Sequence, residues 1–238
     1  MAQQEVSNSI LERFRKVSSA TVFSALWRLG YQRVLMEEVF PLTPGRRMVG
    51  RARTLRFLPW RPDLAQEVRR GEDSPEYQAM RMCGPGDVLV VDAMGIPQCA
   101  VGGDVKFLYL KMRKAEGLVT DGAIRDLDAV RSYGFAIFAR RRTPGIGTPY
   151  GDPYQAGVDI QCGGVLVRPG DVVVADDDGV VVCPAHLAEG VVAWAEEHEQ
   201  VEEWIKGLVE KEGVAPGKYY PPTEETVRRF REHRSTRA

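Results

Sequence analysis

Histidine and cysteine are scarce in this chain: three and four residues out of 238. The cysteines, Cys83, Cys99, Cys162 and Cys183, stand far apart, with no Cys-x-x-Cys pair and no Cys/His cluster. That spacing excludes the usual zinc sites and gives no sign of a disulfide framework. Each cysteine lies beside an apolar or glycine-rich run, which suits a small buried thiol in a reducing compartment. His186 and His198 have no serine or cysteine placed near them as a nucleophile, so they read as surface or interface residues. Net charge is also missing. Lys plus Arg number 32 against 33 Asp plus Glu, so no global field draws the protein to nucleic acid or to a membrane. No apolar run approaches the length of a membrane span. The opening MAQQEVSNSI has neither a basic region nor an apolar core, so no secretory signal is expected and a cytoplasmic protein is.

Ordinary globular composition is what remains, with 44% hydrophobic and 27% charged residues. The length suits one compact core, expected over 1–238 with a helical extension from about 212. Residues 8–29 read as two helices broken near Ser18-Ser19, a serine capping the second and Gly30 ending it. Residues 48–58 alternate apolar and polar side chains and read as a strand. The polar, proline-interrupted stretch 59–79 reads as a surface insertion with a short helix at 63–70. Short β-branched runs follow at 86–92, 99–101, 117–121, 136–139, 165–167, 171–175 and 179–183. Between them lie helices at 104–114 and 126–132, and a Pro/Gly-rich loop at 143–153. Val105, Leu108 and Met112 share one face of the first of these helices. A long helix runs from Pro184 to about Glu210, and a charged one begins at Thr223. The class is α/β.

The stretch richest in chemistry is Gly102-Gly103-Asp104, followed 20 residues later by Arg125-Asp126. That interval fits a helix and a strand, and so returns an arginine and a carboxylate to the sheet edge where the glycine turn lies. Glycines let a ligand approach the backbone, and the first amides of a helix favour an anion. An arginine there can hold a carboxylate or polarise a carbonyl oxygen. Asp126 is a hard oxygen donor suited to Mg²⁺ or Mn²⁺, which take one or two protein carboxylates and keep several waters. Taken singly, each piece is also what an ordinary capped turn with a surface arginine would show. Asp176-Asp177-Asp178 before Gly179 reads as a turn. Arg140-Arg141-Arg142 reads as a solvated basic cluster, with a second reading in which Arg141 binds the distal carboxylate of a dicarboxylic substrate.

GGD before the helix and DGAIRD after the strand, with PLTPGRRMVGRARTL, GDVLVVD and CGGVLVRPGDVVVADDDGVVVCP, resemble the 4-hydroxy-4-methyl-2-oxoglutarate aldolase family of class II pyruvate aldolases. That family includes the regulators of ribonuclease E activity A. The resemblance implies an αββα sandwich related to the phosphohistidine domain, with a long C-terminal helix, assembled as trimers or hexamers with intersubunit sites. It implies that Gly103, Asp104, Val105 and Lys106 offer backbone contacts to a pyruvyl carboxylate. Arg125 would contact the substrate and Asp126 would bind the divalent cation, Mg²⁺ or Mn²⁺. Asp104 would hold metal-bound water and relay a proton, and Glu199 or Glu202 of a neighbouring chain would complete the water shell. The implied activity is retro-aldol cleavage of 4-hydroxy-2-oxo acids to pyruvate, with oxaloacetate decarboxylation beside it. A protein-binding ribonuclease regulator and a dehydratase of 2-oxo-3-deoxy sugar acids are the alternatives. The chain departs from the family pattern at Ser24, at Lys106, in the 59–79 segment and in its C-terminal extension.

Overall fold

The computed structural model describes residues 5–235. In chain order the elements are α1 (Asn8–Phe14), α2 (Ser19–Arg28), β1 (Phe40–Pro41), β2 (Met48–Pro59), α3 (Pro62–Val68), α4 (Pro75–Met82), β3 (Asp87–Asp92), β4 (Ala100–Gly102), α5 (Asp104–Arg113), β5 (Gly117–Ile124) and α6 (Leu127–Arg131). They continue with β6 (Ala136–Arg142), β7 (Gly151–Ala156), β8 (Ile160–Cys162), β9 (Val165–Val167), β10 (Val172–Asp176), β11 (Gly179–Cys183), α7 (Ala188–Glu212) and α8 (Glu224–Ser235).

Nine strands form one mixed sheet in the order β1-β6-β5-β3-β2-β10-β11, with β4 beside β5 and β7 beside β2. Strands β2, β3, β5 and β6 run parallel, whereas β10 joins β2 and β11 antiparallel. The segment before β1 nearly closes the sheet on itself. Leu35 bridges Val181 on β11, and five residues later Phe40 pairs with Ala139 on β6.

Alternation along the strands builds three apolar layers. Leu89, Val91, Leu118, Ile137 and Ala139 point outward to meet Met80, Phe107, Leu110 and Val130 of α4, α5 and α6. Val88, Val90, Val119 and Phe138 point inward to meet Val173, Ala175, Val180 and Val182 across the interior. Val172, Val174, Val181 and Cys183 face out on the far side, onto Leu26 of α2 and Val191, Val192 and Ala195 of α7. Helix, sheet, sheet and helix therefore stack as an αββα sandwich. Full burial of each large side chain contributes roughly 1.5–3 kcal/mol, so the three layers are the main source of stability. The C-terminal extension adds a fourth, smaller cluster: Val201, Ile205, Tyr219 and Phe230 bury α8 against the end of α7.

Ser18 caps α2 by accepting from the Thr21 amide at 3.1 Å, and the Asp176-Asp177-Asp178 run is the β10–β11 turn, as read. Three expectations change. Segment 59–79 is not a surface insertion, because α4 inserts Ala79 and Met80 into the core, both at most 1% exposed. The 143–153 loop gives way at Gly151 to strand β7. The apolar face expected to bury α5 is the wrong one. Phe107 and Leu110 point into the core, whereas Val105, Leu108 and Met112 are 82%, 41% and 69% exposed.

Candidate active site

Pairing of β4 with β5 fulfils the 20-residue spacing. Gly102 lies in register with Ile124, and the Arg125 amide donates to the Gly102 carbonyl at 3.1 Å. The glycine turn and the Arg-Asp pair thus leave the sheet side by side. They open onto a cleft of about 460 Å³. Gly103, the residue that begins α5, has an extended backbone (φ −154°) that any residue could adopt. Its need for glycine is spatial. A Cβ there would fall on the Asp126 carboxylate and lie 2.6 Å from Cγ of Arg125. No side chain caps α5, so its leading amides, those of Asp104, Val105 and Lys106, face the cleft without helical partners.

Asp126 sits in the left-handed region (φ 53°), an uncommon place for a residue with a side chain. There its Oδ2 accepts from the Asp104 amide at 3.3 Å and lies 3.3 Å from Nε of Arg125. That Nε is buried and makes no hydrogen bond. Among the described residues neither terminal nitrogen of Arg125 donates to another group, so the guanidinium is held in place with its donors free. Asp104 lies at the N-terminus of α5, and Tyr133 donates its phenolic hydroxyl to Asp104 Oδ1. Tyr133 is a site residue the sequence reading missed. It follows α6 and carries no motif of its own.

The other wall of the cleft was also missed. It comes from the segment read as an insertion, from the loop before β7 and from β7: Arg69, Glu76, Thr148 and Asp152, with Phe57 beside them. Lys106, noted in the sequence only for its backbone, bonds Glu76 Oε1 with its ammonium at 3.0 Å.

Several other candidates lie elsewhere. Arg140 donates to the Gly95 carbonyl at 2.6 Å and pairs with Glu38; Arg141 and Arg142 are exposed and lie outside the cleft lining of their own chain. His198 stacks on Trp194 with ring centroids 4.4 Å apart, and His186 stands 3.5 Å from the Tyr31 hydroxyl. Ser24 bonds back to the Ala20 carbonyl at 3.1 Å. Glu199 accepts from the Ser18 amide at 2.6 Å and Glu202 lies 3.2 Å from His198; within one chain neither lines the cleft. Burial lifts all four thiols, Cys83 and Cys99 to about 12, so none is a nucleophile at neutral pH.

The donor set fits a hard divalent cation. Asp126 offers an oxygen with no partner of its own among the described residues, Asp104 stands beside it, and no soft ligand is near. Among the described residues no group of three or more His, Cys, Asp or Glu could hold a metal, so an ion here would take few protein ligands and keep most of its waters.

Fold and cleft together define an α/β protein whose site lies where a helix N-terminus meets the ends of parallel strands. The family described as RraA-like, Aldolase/RraA, matches residues 19–182. A Halalkalibacterium halodurans protein named "Putative 4-hydroxy-4-methyl-2-oxoglutarate aldolase" is 34% identical over 209 residues, covering 85% of this chain and 89% of that one. The solved structure of Streptomyces coelicolor RraAS2, described as an unusual member of the RNase ES inhibitor RraA protein family, superposes with a TM-score of 0.78 at 36% identity, covering 84% of this chain and 98% of that one. An uncharacterized Pseudomonas syringae protein superposes with a TM-score of 0.79 at 26% identity, covering 92% and 95%. The chain belongs to the RraA-like aldolase family.

Proposed function

We propose that this chain is a divalent-metal-dependent lyase that cleaves 4-hydroxy-2-oxo acids to pyruvate. The observation that carries the reading is the meeting of α5 amides without helical partners, a held but unbonded Arg125 guanidinium and the Asp126 carboxylate at one cleft. The amides at 103–106 receive the C1 carboxylate, with the α5 N-terminus favouring its charge. Arg125 takes the 2-oxo oxygen. Asp126, with Asp104 beside it, would hold Mg²⁺ or Mn²⁺, whose chemistry when bound is to polarise the 2-oxo group.

Cleavage breaks the C3–C4 bond. The C4 hydroxyl loses its proton and becomes a carbonyl, and the electron pair passes to the C2 oxygen as an enolate. Asp104, held by Tyr133 on one oxygen, has the other free to relay that proton. Arg125 stabilises the enolate oxygen where negative charge builds, a contact of the kind whose loss costs about a hundredfold or more in rate. Protonation at C3 then releases pyruvate. Loss of carbon dioxide from oxaloacetate gives the same enolate, so decarboxylation accompanies cleavage. Lys106 takes no covalent part, its ammonium being paired with Glu76.

The exposed Val105, Leu108 and Met112 stripe beside the cleft supports assembly into a homotrimer or hexamer with sites at the interfaces, where Glu199 or Glu202 of a second copy would reach the cleft. A cytoplasmic location belongs to the same proposal; among the described residues no helix is long and apolar enough to cross a membrane.

Pyruvate release from a panel of 4-hydroxy-2-oxo acids tests the reading. Activity should vanish with EDTA and return with Mg²⁺ or Mn²⁺. Full turnover by the demetallated protein, or a lysine adduct trapped by borohydride, would sink it. Likeness to RraAS2 favours a second reading, inhibition of a ribonuclease by docking. Asp126→Ala separates the two, because it should lower lyase activity by about a hundredfold or more and leave a docking surface intact.

A further inference from the structure

Two carboxylates in the wall opposite the Arg-Asp pair are buried and only half satisfied. Glu76 is 8% exposed and Asp152 4%. Glu76 Oε1 accepts from Lys106 at 3.0 Å, while Glu76 Oε2 is buried with no partner. Asp152 Oδ1 accepts from Nε and Nη2 of Arg69 at 3.2 and 2.9 Å, while Asp152 Oδ2 is likewise buried without a partner. A buried carboxylate oxygen left without a donor is destabilising, so an orphan on a cleft wall marks where a ligand donor would be welcome.

The chemistry of that donor follows from charge. Arg69 and Lys106 are each already paired with a carboxylate, so each pair is neutral overall and the wall carries no surplus positive charge to attract a second substrate carboxylate. What the wall lacks is hydrogen-bond donors without charge, which is what hydroxyl groups supply. A terminal carboxylate would bring acceptors to a wall already short of donors, and would face two buried carboxylates.

Building on the lyase reading, we propose that Glu76 and Asp152, held by Lys106 and Arg69, form the subsite for the distal half of the substrate. They select a 4-hydroxy-2-oxo acid whose remaining carbons carry hydroxyl groups over one that ends in a second carboxylate. The Lys106 side chain fixes Glu76 while its amide stands in the first turn of α5, so the two halves of the substrate are recognised by adjoining parts of one cleft.

The test compares kcat/KM for pyruvate release from 4,5,6-trihydroxy-2-oxohexanoate and from 4-hydroxy-4-methyl-2-oxoglutarate. It also follows deuterium exchange at C3 of pyruvate, which needs only the pyruvyl end. The trihydroxy acid should be favoured at least tenfold, about 1.4 kcal/mol. Glu76→Gln and Asp152→Asn should each cut that preference about tenfold while leaving C3 exchange within twofold. Equal or better cleavage of the dicarboxylate, or variants that depress exchange and cleavage alike, would overturn the subsite assignment while leaving the lyase reading standing. Absence of C3 exchange in the wild type would instead bring down the lyase reading, and the subsite with it.

Discussion

Two carboxylates five positions apart in the same DGAIRD run have opposite surroundings. Asp121, on β5, is 1% exposed. Its Oδ1 accepts from the Ala93 amide at 2.7 Å, and its Oδ2 accepts from the Gly95 amide, Gln161 Nε2 and the Gly163 amide at 3.0, 2.8 and 3.3 Å. It ties the turn after β3 and the β8–β9 hairpin to the middle of the sheet. Asp126 is 41% exposed in its side chain and accepts a single long bond, from the Asp104 amide. A carboxylate saturated with donors has nothing left for a ligand. One held in an unfavoured backbone region with a free oxygen does. Position in the motif cannot separate the two, and the hydrogen bonds do.

Substitution should break the comparison cleanly. Asp126→Ala is expected to lower kcat/KM by about a hundred- to a thousandfold, the loss of one preorganised electrostatic contact, with Tm unchanged within about two degrees. Asp121→Ala leaves buried donors unpaired, each costing about 1–3 kcal/mol. At about 2–4 °C per kcal/mol in a chain of this size, Tm should fall by about 10 °C. Steady-state kinetics and calorimetric melting of both variants would check it. A large Tm loss at Asp126, or none at Asp121, would reverse the roles assigned here.

What was legible in the sequence was local. Strand alternation, the Ser18 cap and the interval from Asp104 to Arg125 all depend on neighbours within a helix or a strand, while the αββα layers came from the family resemblance. The rest of the cleft depends on contacts that no spacing announces. Lys106 meets Glu76 across 30 positions, Tyr133 meets Asp104 across 29, and Arg69 meets Asp152 across 83. Two departures from the family pattern, Lys106 and the 59–79 segment, turn out to be partners in one ion pair. On α5 the periodicity picked out Val105, Leu108 and Met112, whereas the face that meets the core is that of Phe107 and Leu110.

Tyr133 sharpens the contrast by a smaller step, because it acts through Asp104. Tyr133→Phe removes the hydroxyl that fixes Asp104 Oδ1 and leaves the ring in place. We expect kcat to fall about tenfold, within the range of general acid–base effects, while KM changes less than twofold. Decarboxylation of oxaloacetate requires no proton from a C4 hydroxyl and should fall less than aldol cleavage. Equal losses in both reactions would show that Tyr133 merely supports the fold of the cleft.

Asp92 supplies the intermediate case, a buried carboxylate with too few donors. It is 6% exposed, and its Oδ1 accepts from the Met94 amide and from Gln161 Nε2, both at 2.8 Å. Burial raises its pKa above the ordinary aspartate value of 3.8, and the nearby Asp121 charge adds to the rise. The folded state therefore holds this proton more tightly than the unfolded one. Stability from this group is fully present below the unfolded value and is lost as pH rises through the folded one. Above the folded value the ionised Asp92 is a net cost. Asp92→Asn keeps the Oδ1 acceptor and removes the charge, so Tm should rise by a few degrees at pH 7.5. The gain should shrink as pH falls and vanish below the ordinary aspartate value, where Asp92 is protonated in both states. Melting curves of the two proteins across that range decide the point. A gain independent of pH would mean that the charge of Asp92 was never the cause, and a loss at pH 7.5 would place Asp92 beside Asp121 among the carboxylates the fold requires ionised.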